Sequence, residues 1–201
     1  IDTARKASLD LYKYDFTSAN EAGILEWDTY VSAGLPDKAV EEALASYAIQ
    51  GVIFSYVKVA DITTYSALET DGYKDMVLYS MGDNAATTQL LVALDLTAAD
   101  AYRVENKTLY FVSDVFIDAL SAKLQENSSN VKNALEKFVA DQGGVALPET
   151  DEAGHSGATG LDLGLYLVVE TYVPENVFST TAPFFVSLPM TTIDGQDWNY
   201  D

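Results

Sequence analysis

Polar and apolar residues alternate along two segments in the first third of the chain. The alternation from Ala7 to Asp15 has one imperfection around Tyr12, and Ile49–Ile62 shows a second strong pattern. A period of two residues places successive side chains on opposite faces of extended backbone, so both segments are predicted as β-strands. Tyr73–Ser80 is predicted as a third strand, whereas residues 16–37, which are rich in Ala, Gly and Asn, are predicted as a loop.

The spacing of apolar residues changes in the middle of the chain. Three segments predict helices: residues 84–94, 113–126 and 129–142. The first is rich in Ala and Leu, and each of the other two carries an apolar stripe of helical spacing. Ser128 or Ser129 is the expected N-cap of the last helix. We expect the two longer helices to pair antiparallel within a helical insertion over residues 84–142, and one or two helical turns over Asp37–Leu44.

Strand patterns return in the last quarter of the chain. Residues 145–160 are predicted as a polar loop, Leu161–Tyr172 as a strand buried by its almost continuous apolar character, and Ala182–Leu188 as another strand. Trp198–Asp201 opens a further strand. The order of strands, helices and strands predicts a mainly β fold, namely a β-sandwich with an α-helical insertion, formed by a single domain over residues 1–201.

Composition narrows the classes of function. Eleven Lys and Arg face 31 Asp and Glu, a net charge of −20, which disfavours nucleic acid and anionic lipid as partners. There is no cysteine, and no apolar run approaches the roughly 18 residues of a membrane span. The one histidine, His155, excludes a His-rich metal site, so we predict no metal, no cofactor and no enzymatic activity. The chain opens at Ile1 without an initiator Met or signal peptide, and we expect a mature or excised fragment.

Several segments resemble one protein family in the family's own order. Gly164–Thr171 resembles the E-box of Gram-positive pilins, a buried strand that ends in Glu and Thr, here Glu170 and Thr171, with a proline following. Pro183–Thr191 resembles the "PFxVxLPMT" strand of the N-terminal domain of backbone pilins. Gly195 with Trp198, Asn199, Tyr200 and Asp201 is similar to the start of the "DGxxWxYDVxVYPK" segment, and Ser8–Tyr14 and Gly51–Ala60 are similar to the family's first two strands.

The chain thus resembles the N-terminal domain of a sortase-assembled backbone pilin, or major fimbrial subunit. The resemblance implies an Ig-like, CnaB-like sandwich with a structural role in a pilus attached to the cell wall outside a Gram-positive cell. In this family a class C sortase joins the Thr of one subunit's LPxTG-like signal to the Lys of the next subunit's "YPK" motif. That lysine would follow just beyond Asp201. The implied partners are other pilin subunits, a class C sortase and a host or bacterial surface ligand. The alternative is a ligand-binding domain of a monomeric, wall-anchored adhesin.

One pair of residues is a candidate for special chemistry. An intramolecular Lys–Asn isopeptide bond needs an amine, a side-chain amide and a carboxyl group in a dry core, where burial favours the neutral amine and the neutral acid. Lys13 and Glu170 have the required types, and Lys58 is a second amine. The family's Asn lies on the last strand, beyond the end of this chain, and Asn199 is a poor substitute. The other interpretation is that Lys13 faces solvent and Glu170 is a buried hydrogen-bonding acid.

Two LPxT sequences occur, at Leu147–Thr150 and Leu188–Thr191. A sortase signal needs a following Gly-like residue, an apolar tail and a basic end, but Asp151 and Thr192 follow here. We therefore expect both to be structural.

Overall fold

The computed structural model describes residues 1–24, 37–63, 77–101, 103–178, 180–191 and 197–201. Its strands are β1 (Ala7–Tyr12), β2 (Ile53–Thr63), β3 (Leu78–Gly82), β4 (Arg103–Glu105), β5 (Thr108–Phe111), β6 (Val145–Ala146), β7 (His155–Leu161), β8 (Gly164–Tyr172), β9 (Phe184–Leu188), β10 (Met190–Thr191) and β11 (Trp198–Asn199). Its helices are α1 (Phe16–Glu21), α2 (Lys38–Leu44), α3 (Ala85–Ala93) and α4 (Ser113–Asp141).

A large antiparallel sheet forms the middle of the fold. Its strands follow the order β4-β5-β3-β2-β8-β9, and β6 pairs with β2 beside β3. A second sheet consists of β1 and β7, which pair antiparallel with Leu9 opposite Ala158. The short strands β10 and β11 pair with each other near the end of the chain.

Strand β8 is buried on both faces because each face of the large sheet is covered. Leu165, Leu167 and Val169 point into a core shared with α3 and α4. Tyr166 and Val168 point the other way, into a core shared with β1. Alternate side chains of a strand face opposite sides, so a strand between two layers must be apolar at nearly every position. This explains the continuous apolar run and confirms the predicted β-sandwich with helices added to it.

The helical layer follows its apolar stripes. Phe116, Leu120, Leu135 and Phe138 of α4 are almost fully buried against the large sheet. Asn127 interrupts α4 with a non-helical backbone (φ −155°, ψ 78°), and its side chain accepts a hydrogen bond from the Asn130 N–H. The two helices expected here therefore meet at a single residue, and the cap is Asn127 instead of a serine.

Several elements differ from the sequence-based expectation. Helix α1 lies inside the predicted first loop, where Asp15 caps it by accepting from the Ser18 N–H. Strand β7 lies in the predicted loop 145–160; it is held by pairing with β1, although its own sequence is polar and rich in Gly. The hairpin of β4 and β5 stands within the predicted insertion.

Two of the remaining predictions fall partly or wholly outside the described residues. Of the strand predicted at 73–80, residues 73–76 lie outside the described residues, and β3 begins at Leu78. Gly195 also lies outside them. None of the helices in the described part of the chain is long and apolar enough to cross a membrane.

Candidate functional site

Lys13 is fixed in position by its own backbone at the end of β1. Its N–H donates to the carbonyl of Gly154, and its carbonyl accepts from the N–H of Ile49, both at 2.9 Å. Gly154 has φ +74°, and a Cβ there would lie 2.4 Å from the Lys13 carbonyl oxygen. Only glycine fits this approach without strain. The chain thereby turns the Lys13 side chain inwards, where it is 5% exposed.

Glu170 meets this lysine from the large sheet. It lies on the face of β8 that is directed at β1, opposite Phe54 of β2, and its side chain is 0% exposed. The Lys13 Nζ lies 3.0 Å from Glu170 Oε2. The two residues predicted as a reactive pair are therefore in contact, and Lys13 does not face solvent as the other interpretation required.

Thr181 completes the cluster and was missed by sequence reasoning. Its hydroxyl accepts a hydrogen bond from Lys13 Nζ at 2.7 Å, and its backbone N–H donates to Glu170 Oε1 at 3.1 Å. It stands in an irregular segment three residues before β9, where no periodic pattern marks it. The antiparallel register that pairs Val168 with Phe184 is what brings this segment alongside Glu170.

The second carboxylate oxygen of Glu170, Oε2, has a different environment from Oε1. Oε2 is fully buried and accepts no hydrogen bond from the described residues, so its contact with Lys13 is an ion pair without an aligned N–H. A buried carboxylate oxygen beside an amine is a suitable proton acceptor. The cluster can thus hold an amine, orient it and remove a proton from it.

A cavity of about 240 Å³ opens against the cluster. Besides Lys13 and Thr181, its walls include Tyr12, Tyr14, Phe16, Phe54 and Phe184. Three of the rings form a series: Tyr12 stacks on Tyr14 at 6.2 Å, and Tyr14 meets Phe16 edge-on at 6.0 Å. Burial, together with Glu41, Asp10 and Asp151, raises the pKa of the Tyr12 phenol. The amine therefore borders an aromatic cavity of low polarity that could admit a further side chain.

The other predicted candidates lie elsewhere. Lys58 forms a half-exposed pair with Asp61 at 2.5 Å, on the stretch of β2 that pairs with Tyr166. Asn199 donates to the carbonyl of Asp201, and its neighbour Tyr200 accepts from the Ser8 N–H. Lys13 follows Ser8 by about 16 Å of extended strand, so Asn199 is not brought to the amine.

His155 and the two LPxT sequences make ordinary structural contacts. His155 Nε2 lies 2.6 Å from Asp10 at the surface, and its ring lies 5.0 Å from Tyr12. Thr150, in the first LPxT sequence, is buried, and its hydroxyl donates to Ile49 O and accepts from Val52 N–H. Leu188, in the second, is buried at the end of β9. Across the described residues, no group of three or more His, Cys, Asp and Glu could hold a metal ion.

Comparison with known proteins identifies the class of domain. The sequence profile of the Gram-positive pilin subunit D1, N-terminal domain, matches residues 5–201. The chain therefore belongs to this family of pilin domains, as the resemblance in its motifs predicted. A comparison with curated proteins found no match.

Two solved pilins are similar to the chain. The full-length major pilin SpaD from Corynebacterium diphtheriae matches 100% of this chain and 31% of its own, with 22% identity and a TM-score of 0.46. The full-length RrgB pilus protein from Streptococcus pneumoniae matches 70% of this chain and 22% of its own, with 14% identity and a TM-score of 0.25. The chain spans less than a third of the length of these subunits.

Proposed function

We propose that this domain is a structural, non-enzymatic part of a cell-surface pilus subunit that a class C sortase polymerises covalently. The acceptor is a lysine that follows Asp201 in the parent protein. The match of the pilin D1 family to residues 5–201 carries this proposal. The subunit's partners are further copies of the pilin, the sortase and a host or bacterial surface ligand, and its location is outside the cell, in a surface pilus attached to the cell wall.

The last described residues support this role because they are anchored. Tyr200 is 6% exposed, its hydroxyl accepts from the Asp2 N–H at 2.6 Å, and the Arg5 guanidinium lies 4.0 Å from its ring. Its carbonyl accepts from the Ser8 N–H at 2.7 Å. A lysine a few residues further on would leave from a fixed point of the sandwich, so that a force on the linkage would reach the folded domain directly.

The Lys13 cluster supports a second, internal crosslink. In this part of the proposal, an Asn that follows Asp201 delivers its side-chain amide to Lys13. The Nζ attacks the amide carbon, a C–N bond forms, and the amide nitrogen leaves as ammonia. Glu170 Oε2 takes the proton from Nζ and gives it to the leaving nitrogen. The 3.0 Å contact, the burial of both side chains and the adjoining cavity are what favour this chemistry.

Reconstitution of the polymer tests the function. The full-length subunit is incubated with its class C sortase and separated by denaturing electrophoresis. We expect a ladder of covalent multimers, and we expect it to disappear when the first lysine after Asp201 is changed to Arg. A subunit that stays monomeric with an active sortase would favour the wall-anchored adhesin instead.

A further inference from the structure

Thr181 is the one described residue that hydrogen-bonds to both members of the buried pair. Its hydroxyl contacts Lys13 Nζ, and its backbone N–H contacts Glu170 Oε1. These two atoms of a single residue reach the two opposite charges. Side-chain and backbone contacts of this kind set the orientation of both partners at once.

The two carboxylate oxygens of Glu170 consequently have different roles, one in orienting the group and one in accepting a proton. The Thr181 N–H occupies Oε1 at 3.1 Å, whereas Oε2 accepts no hydrogen bond and lies 3.0 Å from the amine. The carboxylate plane is held by its first oxygen, and the second is left as the acceptor for a proton. A fixed geometry of this kind is what a proton transfer in a folded core requires.

The consequence for Lys13 concerns the direction of its lone pair. One N–H of the amine is directed to the Thr181 hydroxyl at 2.7 Å, and the carboxylate stands on another side. Once a proton has passed to Oε2, the lone pair of Nζ cannot lie along the N–H that donates to the Thr181 hydroxyl. The aromatic cavity that borders Lys13 and Thr181 is the open space for an incoming amide.

We propose that Thr181 is a positioning residue for isopeptide formation: it selects Glu170 Oε2 as the proton acceptor and aims the Lys13 amine. This inference rests on the internal crosslink proposed above. The step is balanced, since the Lys–Asn C–N bond replaces the C–N bond of the amide, and the proton taken by Oε2 leaves with ammonia. Thr181 itself exchanges no proton and forms no bond.

Three variants of the full-length subunit test the proposal. Thr181→Val keeps the shape of the side chain and the backbone N–H but removes the hydroxyl, whereas Thr181→Ser keeps the hydroxyl. Thr180→Val is the matched control, because Thr180 is exposed and borders the same cavity, whereas the hydrogen bonds described for the pair come from Thr181. Each protein is refolded, and intact mass is followed over time for the loss of one ammonia, about 17 Da.

We expect Thr181→Val to slow this loss roughly 10- to 100-fold, the value of one hydrogen bond to a charged group. Thr181→Ser and Thr180→Val should react at close to the wild-type rate. Equal rates for wild type and Thr181→Val would overturn the role of Thr181 while leaving the crosslink intact. A wild-type mass that never falls would overturn the crosslink, and the proposed role in the reaction with it.

A second measurement on chain 1–201 reads the positioning without the reaction. In ¹⁵N-lysine NMR spectra the Lys13 ammonium protons of the wild type and of Thr181→Ser should exchange slowly with water. In Thr181→Val they should exchange faster by at least about tenfold. Unchanged exchange would show that the hydroxyl does not hold the amine, which overturns the proposal even if the crosslink forms.

Discussion

Removal of the Lys13 amine from chain 1–201 should destabilise the domain far more than removal of an exposed lysine. The substitution Lys13→Met keeps most of the apolar stem but leaves Glu170 without its counter-ion. The side chains of Lys13 and Glu170 are 5% and 0% exposed, so water cannot replace the lost charge. Glu170 Oε1 would retain the Thr181 N–H, and Oε2 would have no partner.

The expected magnitude follows from the burial. Breaking a buried pair by deleting one partner costs about 3–5 kcal/mol, since an uncompensated charge remains in the core. For a domain of 150–250 residues, each 1 kcal/mol lowers Tm by roughly 2–4 °C. Lys13→Met should therefore lower Tm by roughly 6–20 °C.

The assays are urea unfolding, which gives the free energy of unfolding, and thermal unfolding, which gives Tm, both followed by circular dichroism. Three further variants are needed: Lys6→Met, Glu170→Leu and the double variant Lys13→Met/Glu170→Leu. Lys6→Met is the matched control, because Lys6 forms an ion pair with Asp162 in which the side chains are 58% and 65% exposed. It should cost no more than about 1 kcal/mol. The double variant Lys13→Met/Glu170→Leu should be more stable than Lys13→Met alone, because it removes the stranded charge as well.

Two results would refute this reasoning. One is a cost for Lys13→Met that equals the cost for Lys6→Met. The other is a double variant whose loss equals the sum of its two single losses, since that would mean the two side chains act independently.

Three further predictions concern the backbone and one tyrosine. Lys107 has φ 61° at the tip of the β4–β5 hairpin, so Lys107→Gly should raise stability by about 0.5 kcal/mol, the relieved strain less the added chain entropy, and a lower Tm would contradict this. Gly154→Ala should cost at least about 2 kcal/mol in urea unfolding because of its clash with Lys13, whereas Gly23→Ala, also at positive φ but with open space around its Cβ, should cost only about 1 kcal/mol. Burial raises the pKa of the Tyr166 phenol from 10.0 to about 12, so the neutral phenol contributes stability that is present below pH 10 and is lost as the pH rises towards 12. The free energy of unfolding of Tyr166→Phe should therefore fall less steeply than that of the wild type between pH 10 and about 12. Parallel curves for the two proteins would contradict the raised pKa.

The parts of the fold that follow from the sequence are those with a strong period. The apolar run of β8 identified a strand covered on both faces, and the structure shows why, with Leu167 directed to the helices and Val168 to the β1 layer. The stripe of α4 was equally clear. The motifs from Gly164 to Asp201 led to the family, because several short segments recur there in order.

The elements that escaped prediction lack such a signal. Strand β7 is polar and rich in Gly, and it is a strand because β1 pairs with it; at Gly157 a Cβ would lie 2.7 Å from the Leu9 carbonyl oxygen. The β4–β5 hairpin turns at Asn106 and Lys107, both at positive φ, without the Asn-Gly pair that marks such turns. In these segments, pairing with other strands therefore determines the strand conformation, which the local sequence does not specify.

In the candidate site, too, some residues could be predicted from the sequence and others could not. Lys13 and Glu170 could be chosen from residue type and position, since a lysine on the first strand and a glutamate on a buried strand are unusual in a core. Their contact depends on how two sheets pack, which periodicity does not specify. Thr181 could not be chosen, because it lies in irregular backbone whose place is set by the register of β8 and β9.

We propose that the parent protein is joined to its neighbours through a lysine close after Asp201. Polymer released from the cell wall can be digested and its branched peptides sequenced by mass spectrometry. We expect a peptide in which the first lysine after Asp201 carries, on its Nζ, the C-terminal Thr of a second subunit. Wall-released protein that is only monomeric, or branched at a lysine outside this segment, would contradict it.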